Sequence, residues 1–193
     1  MEVVAVDIDE VMFPFVDEFA KHHNELYGTQ IGKADFKSYR FEEALKGTFE
    51  EAMDRVYAFC DLDHREIPPL VDSAGLKKLA ENYNLIAVTA RNPRFGQQTK
   101  QGLGHHFPDI FGDIVMIGYA PAMEQPVTKA EVCEQLGAIA LIDDSVSHVT
   151  ECAEIGIKGI LFGEYPWNTA ENLPPNVFRC TTWNQVEECL DAR

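Results

Sequence analysis

Short apolar runs recur along this chain and alternate with segments of helical periodicity. Five runs are rich in branched aliphatic residues and bounded by polar positions, which is typical of strands buried on both faces of a sheet. They cover residues 3–6, 85–88, 114–117, 138–142 and 159–162. The pattern predicts a parallel strand at each position.

Amphipathic segments lie between these runs. In residues 73–83, Leu76, Leu79 and Tyr83 follow helical spacing. Residues 128–136 and 145–155 show the same period, and each begins with a Thr or Ser suited to an N-cap. Strands alternating with helices predict an α/β fold with a doubly wound parallel sheet.

One crossover is much longer than the others. Residues 7–84 separate the first two strands, whereas a complete βαβ unit needs only about 30 residues. A helix over 15–27 and the helix over 73–83 fill part of this interval. The remainder, residues 28–70, is rich in aromatic residues, contains a helical pattern at 48–60 and ends in two prolines. We therefore predict a small helical cap at 28–70, inserted into a core formed by residues 1–27 and 71–193.

Composition limits the classes of partner. The chain has 16 Lys and Arg residues against 32 Asp and Glu residues, a formal net charge of −16. Such a surface repels nucleic-acid polymers and anionic membranes. No apolar run approaches the roughly 20 residues that span a bilayer.

Five scattered cysteines without a CxxC motif, together with an acidic N-terminus, favour a cytoplasmic protein with reduced thiols. The oligomeric state stays open, a homodimer included.

Polar residues follow three of the predicted strands directly. They are Asp7, Asp9, Thr89, Arg91, Asp143 and Asp144, and the backbone N–H of Ala90 lies between Thr89 and Arg91. The carboxyl ends of parallel strands share one edge, where ligands bind. Single acids at such positions are often turn residues or helix caps, but four together repel one another unless a cation is present. Oxygen ligands favour a hard ion, so the sequence predicts a Mg²⁺ site.

Lys129 is a further candidate. It lies in the first turn of the helix at 128–136, where the helix dipole disfavours a cation. An exposed lysine there would be ordinary solvated surface. Because the next strand ends in Asp143 and Asp144, we expect Lys129 to neutralise the acidic cluster and a bound phosphate.

The ordered set of these motifs resembles the haloacid dehalogenase-like phosphohydrolases. The first strand is followed by Asp-x-Asp, the second by Thr89, and Lys129 precedes the strand that ends in two acids. The insertion at 28–70 resembles the cap of these enzymes. Within the superfamily, the cap, VTARN, LIDDS and YPWN at 165–168 most resemble the 5′(3′)-deoxyribonucleotidases and their bacterial relatives. Glu10 departs from the family pattern, which usually has glycine there.

The resemblance implies a Rossmann-like core and a Mg²⁺-dependent phosphatase that forms an aspartyl-phosphate intermediate. Asp7 would be the nucleophile and Asp9 the general acid and base. The metal would be held by the Asp7 carboxylate, the Asp9 carbonyl, and Asp143, Asp144 or both. The phosphate would be bound by residues that follow the second strand or begin the later helix, namely Thr89, Ala90, Arg91 and Lys129.

Three functions remain open at this point. The favoured one is a 5′-nucleotidase acting on nucleoside or deoxynucleoside monophosphates. A second keeps the chemistry but acts on a sugar phosphate or another metabolite phosphate. In the third, Glu10 marks a catalytically silent binding protein with the same fold. Three assignments of single residues also follow from the sequence. The cap aromatics are core or base-stacking residues, and Trp167 lines the site or covers the sheet edge. The six histidines are assigned to packing or helix surfaces.

Overall fold

A single parallel sheet organises the chain. The computed structural model describes residues 1–118, 127–170 and 172–192. Six strands in these ranges form the sheet in the order β3-β2-β1-β4-β5-β6, and every neighbouring pair is parallel. The strands are β1 (Glu2–Val6), β2 (Tyr83–Thr89), β3 (Phe111–Met116), β4 (Ala138–Asp143), β5 (Lys158–Phe162) and β6 (Val177–Cys180). The doubly wound α/β prediction is confirmed.

Helices connect the strands and cover the sheet. They are α1 (Phe15–Tyr27), α2 (Phe41–Leu45), α3 (Phe49–Cys60), α4 (Ser73–Ala80), α5 (Gly96–His106), α6 (Lys129–Leu136), α7 (Val146–Glu154) and α8 (Trp183–Asp191). Caps define several boundaries. Thr48 and Thr128 each form a capping box with a glutamate three residues later, and Ser145 caps α7. Gly28 and Gly137 end their helices in the left-handed conformation.

The central strands form the core. Val4, Val6, Ala140 and Ile142 are fully buried on one side of the sheet. The opposite side buries residues such as Leu141 against α6 and α7, the helices that precede and follow β4. Burial on both faces explains why these strands appear in the sequence as continuous apolar runs.

Two elements at the end of the chain, β6 and α8, were not predicted. The edge strand β6 has only four residues, VFRC, and its middle two are not buried. The strand therefore lacks the apolar run that identifies the central strands.

The predicted helix over 73–83 is too long. In the structure α4 ends at Ala80, and Tyr83 is the first residue of β2.

The 28–70 segment contains two helices and short 3₁₀ turns, with no strand. Its aromatic residues pack with α1 in one apolar cluster, in which Phe15 and Phe19 of α1 contact Phe59 of α3. By these contacts α1 packs with the cap. The exact division into cap and core stays a prediction. No helix in the described ranges is long and apolar enough to cross a bilayer.

Candidate functional site

The carboxyl ends of β1, β2 and β4 meet at the centre of the sheet. Val6 is in register with Ala87 of β2 and with Ile142 of β4. The Asp7 N–H continues this pairing by donating to the Ile142 carbonyl at 2.9 Å. Residues that follow these three strands are therefore brought to one edge, as the sequence predicts.

Three carboxylates and a lysine form the centre of this edge. One oxygen each from Asp7, Asp143 and Asp144 lies within 4.8 Å of the others, and all three residues are buried. The Lys129 ammonium lies 2.8 Å from Asp7 Oδ1 and 2.6 Å from Asp143 Oδ2. Lys129 is only 1% exposed, so it is an internal counter-charge and not solvated surface.

The capping of α6 places this lysine. Thr128 accepts from the Glu131 N–H, and Glu131 accepts from the Thr128 N–H at 2.8 Å. The reciprocal bonds fix the start of the helix, so that Lys129 is its first residue. Two carboxylates at close range outweigh the unfavourable dipole at this end of the helix.

Burial and neighbouring acids raise the pKa values of these carboxyl groups, whereas neighbouring cations lower them. Burial raises the pKa of Asp7 to about 7, although Lys129 opposes the shift. Burial also raises the pKa of Asp144, reinforced by the charges of Asp143 and Asp7. For Asp143 the same burial is outweighed by Lys129 and His148, which hold its pKa at about 2. Lys129 therefore compensates Asp143 first, and ionisation of all three acids would leave net negative charge at the site.

A tight loop after β2 carries the predicted phosphate-binding residues. Thr89 is fully buried, and its hydroxyl accepts from the Arg91 N–H at 3.2 Å. The chain after β3 lies directly against this loop. A Cβ on Gly118 would lie 2.4 Å from the Ala90 carbonyl oxygen, so only glycine permits this approach.

Asp9 differs from the expected arrangement. Of the four acids at the sheet edge, three bring their carboxylates together, whereas the Asp9 carboxylate binds Arg91. The guanidinium of Arg91 donates from Nε at 3.0 Å and from Nη2 at 2.6 Å, and its Nη1 donates to Thr99. A forked, mostly buried ion pair of this kind is a strong local interaction. Any metal contact of Asp9 would involve its backbone carbonyl, as the resemblance implies.

Aromatic residues from two parts of the chain bind Asp144. Trp167 Nε1 donates to Asp144 Oδ2 at 2.6 Å, and the Tyr39 hydroxyl donates to the same oxygen at 3.1 Å. Of the two alternatives for Trp167, this contact supports lining of the site. The Tyr39 contact was not foreseen, because a residue 105 positions away in the sequence leaves no periodic signal.

His148 also belongs to the site. Its Nδ1 lies 3.3 Å from both carboxylate oxygens of Asp143. The prediction that every histidine belongs to packing or helix surfaces is therefore wrong for His148. His23 and His64 are buried and do pack against aromatic rings. The available signal was position, since His148 lies in the first turn of the helix that follows Asp143.

Glu10 is accommodated in an unusual backbone conformation. Its φ is 61°, and its side chain is buried, with 3% of the residue exposed. The side chain accepts from the Val16 N–H at 2.6 Å, and Lys33 lies 3.4 Å away. Burial raises the pKa of Glu10 to about 7, against the opposing effects of these two partners. The left-handed backbone expected for glycine is therefore kept, with a glutamate in it.

A cavity of about 530 Å³ extends from the acids into the cap. Its polar end contains Asp7, Asp9, Lys129 and Asp144, and the remainder is lined mainly by aromatic and aliphatic side chains. The aromatic lining residues are Phe15, Phe36, Tyr39, Phe41, Phe49, Tyr57, Phe95 and Trp167. The cap aromatics thus serve both as core and as lining, and the volume is that of a small-molecule site.

The donor set suits a hard divalent cation. Three buried carboxylates are oxygen ligands, and Mg²⁺ is commonly held by one or two such groups together with water and substrate phosphate. Burial raises the pKa of Asp144, and the charges of Asp143 and Asp7 raise it further, so a cation at this site would favour the ionised carboxylate. Residues Asp7, Asp143 and Asp144 could therefore hold the ion, and Lys129 supplies only one of the charges needed for balance.

Comparison with known proteins gives a family and a fold. The family described as 5′ nucleotidase, deoxy (pyrimidine), cytosolic type C protein matches residues 1–193. A relative with 30% identity over 120 residues is an uncharacterized 32.4 kDa protein of Enterobacteria phage T4. The match covers 60% of this chain, and the chain spans 41% of the length of that relative.

Solved structures of haloacid dehalogenase-like proteins share the fold over nearly the whole chain. A hydrolase of this class from Streptococcus pneumoniae has a TM-score of 0.71 at 13% identity, with 99% of each chain covered. The HAD-hydrolase YfnB of Bacillus subtilis, solved with magnesium, has a TM-score of 0.61 at 15% identity, with 98% of each chain covered. At this level of identity the likeness establishes the fold alone.

Proposed function

The chain belongs to the 5′ nucleotidase, deoxy (pyrimidine), cytosolic type C family of phosphohydrolases, and on that premise we propose a Mg²⁺-dependent phosphatase for nucleoside monophosphates. The observation that carries the proposal is the position of Asp7. This carboxylate lies beside Lys129 and two further acids, at the polar end of a cavity whose other walls are aromatic.

The proposed reaction proceeds in two displacements at phosphorus. An Asp7 oxygen forms a bond to phosphorus while the bond to the ester oxygen breaks, and Asp9 gives that oxygen its proton. A water molecule, deprotonated by Asp9, then attacks the aspartyl-phosphate and restores Asp7. The resident Mg²⁺ would stabilise charge on the phosphoryl oxygens, together with Lys129 and the N–H groups that follow Thr89.

Release of Asp9 from Arg91 is required by this scheme. In the structure Arg91 occupies both oxygens of Asp9. A substrate phosphate beside Thr89 would compete for the same guanidinium, because phosphate and carboxylate both bind its forked donors. Substrate binding would then free Asp9 for proton transfer.

The aromatic wall favours a nucleotide over a sugar phosphate. A nucleobase offers a flat apolar face that packs on such rings, whereas a sugar hydroxyl there would lose hydrogen bonds to water. The silent alternative loses its main support, since Glu10 is incorporated in the loop through specific bonds.

Phosphate release from a panel of substrates tests the proposal. We expect turnover of nucleoside or deoxynucleoside 5′-monophosphates in Mg²⁺, and none in excess chelator. Sugar phosphates and phosphoglycolate serve as the comparison substrates. Higher kcat/KM for a sugar phosphate would support the second candidate, and no release from any substrate would contradict a phosphatase altogether.

Metal binding is expected to stabilise the fold. An ion that binds only the native state adds about 2.7 kcal/mol at a hundredfold excess over Kd. For a domain of this size, Mg²⁺ should raise the melting temperature by roughly 5 °C or more. Thermal melts with Mg²⁺ and with NaCl at equal ionic strength separate binding from screening of the net charge. The double variant Asp143→Asn, Asp144→Asn should lose the specific part, and an equal rise in that variant would contradict a metal site here.

A further inference from the structure

Glu10 stands where its backbone conformation would be easier for glycine. A φ of 61° is the left-handed region, in which a β-carbon is crowded. Residues other than glycine persist there when surrounding contacts hold them. The Glu10 N–H donates to the Phe13 carbonyl at 2.7 Å, and its carbonyl accepts from the Tyr165 hydroxyl at 2.6 Å. Both backbone groups are thus fixed by partners on either side of the loop.

The side chain of Glu10 reaches the cap. One carboxylate oxygen accepts from the Val16 N–H in the first turn of α1, and the other lies 3.4 Å from Lys33 Nζ. Lys33 belongs to the 28–70 segment and is held by Asp17 of α1 at 2.6 Å. The ammonium therefore lies between a carboxylate of the cap-packed helix and a buried carboxylate of the loop that follows β1.

Lys33 also faces the segment that follows β5. Its ammonium lies 5.1 Å from the centre of the Tyr165 ring, in the geometry of a cation–π contact. Tyr165 stacks on Trp167 with ring centres 4.9 Å apart and planes 9° apart, and Trp167 donates to Asp144. A continuous set of contacts thus joins Lys33 in the cap to the acids of the site.

We propose that Glu10 and Lys33 are positioning residues whose ion pair fastens the cap and the 163–168 segment to the loop that carries Asp7 and Asp9. This inference rests on the proposed function for its catalytic meaning. The pair sets the position of the cap over the cavity, and thereby the distance between the aromatic wall and the nucleophile. Glycine in place of Glu10 would remove this ion pair and leave the apolar packing of Ile67 against the loop.

Three variants test the pair, all compared with wild type in the same buffer. Lys33→Met keeps the aliphatic stem and removes the charge, Glu10→Gln keeps the shape, and the third variant combines both. We expect each single change to raise KM at least fivefold, with a smaller change in kcat. Because both remove the same contact, the combined variant should differ from the worse single variant by less than twofold. Multiplication of the two effects would overturn the proposal.

Two further variants serve as controls. Lys21→Met removes an exposed lysine that pairs with Glu18 at 3.8 Å on the same helix, and its KM should stay at the wild-type value. Lys33→Arg keeps the charge and should remain within twofold of wild type. An equal rise in KM for Lys21→Met would show that loss of any positive charge near the cap suffices, and would overturn a specific pair.

Amide hydrogen exchange gives a readout that does not need turnover. In Lys33→Met we expect exchange at least tenfold faster in residues 33–45 and 163–168, with β1 and β4 unchanged. Faster exchange in all of these elements would indicate a general loss of stability and overturn a positioning role, as would no change in either segment. If the wild-type enzyme releases no phosphate, the proposed function is wrong. The exchange pattern still tests the positioning role of the Glu10–Lys33 pair in that case.

Discussion

Asp7→Asn is expected to lower phosphate release at least a hundredfold while the fold stays intact. The substitution removes the proposed nucleophile and one metal ligand but preserves the shape of the side chain. A hundredfold loss corresponds to about 3 kcal/mol in the barrier. Because burial raises the pKa of Asp7 to about 7, ionising this carboxyl opposes folding as the pH rises from about 4 to 7. The neutral variant should therefore be no less stable than wild type at pH 8 without metal.

Steady-state phosphate release at saturating substrate measures this effect. Asp54→Asn is a matched control, since that aspartate is exposed on the cap helix α3, and it should retain wild-type turnover. Activity of Asp7→Asn above one hundredth of wild type would show that another group attacks phosphorus. Circular dichroism and the unfolding midpoint distinguish a loss of catalysis from a loss of the folded state.

Lys129→Met is expected to destabilise the metal-free protein by about 3–5 kcal/mol. Removing one partner of a buried ion pair leaves the other charge uncompensated, and this energy range is typical of that change. Here two carboxylates, Asp7 and Asp143, lose a partner within 2.8 Å. Methionine fills nearly the same space, so the effect reports charge and not a cavity.

The loss should be larger at pH 8 than at pH 5. At pH 5 Asp7 already carries a proton in the native state, because its pKa is about 7, and Lys129 then compensates mainly Asp143. Asp143 has a pKa lowered to about 2, so its stabilising contribution is present above its unfolded value and disappears only toward pH 2. Above pH 7 both carboxylates are ionised and both depend on the lysine.

Denaturant unfolding with chelator present at the two pH values checks this prediction. Lys100→Met on α5 provides the control, since Lys100 is exposed. A loss under about 1 kcal/mol at pH 8, similar to the control, would mean that solvent and not Lys129 compensates the two acids.

The sheet and its polar edge could be predicted because they follow from local pattern. Buried parallel strands have continuous apolar runs, and the residues after them must meet at one edge. Asp7, Asp143 and Asp144 were located in this way. Lys129 was placed by the capping signal of Thr128 and by its position before β4.

Other parts of the site depend on pairing between distant segments. The ion pair between Asp9 and Arg91 joins residues 82 positions apart. The Glu10 carbonyl accepts from the hydroxyl of a tyrosine 155 positions away. Such contacts are chosen by packing and rotamer geometry, which no periodicity encodes. His148 was overlooked for a different reason, because it has no regular ligand spacing to the acids and its proximity to the end of β4 is the only sequence signal.

The apolar interior is divided, and this has a consequence for cooperativity. The cap aromatics and α1 form one cluster, whereas separate clusters lie on the faces of the sheet. We expect partial opening of the cap, in which only its own cluster loses packing, to cost less free energy than global unfolding. The cap cluster and the sheet clusters would then unfold as two coupled units joined at the loop beyond β1. A ligand that contacts both units would bring their unfolding transitions together.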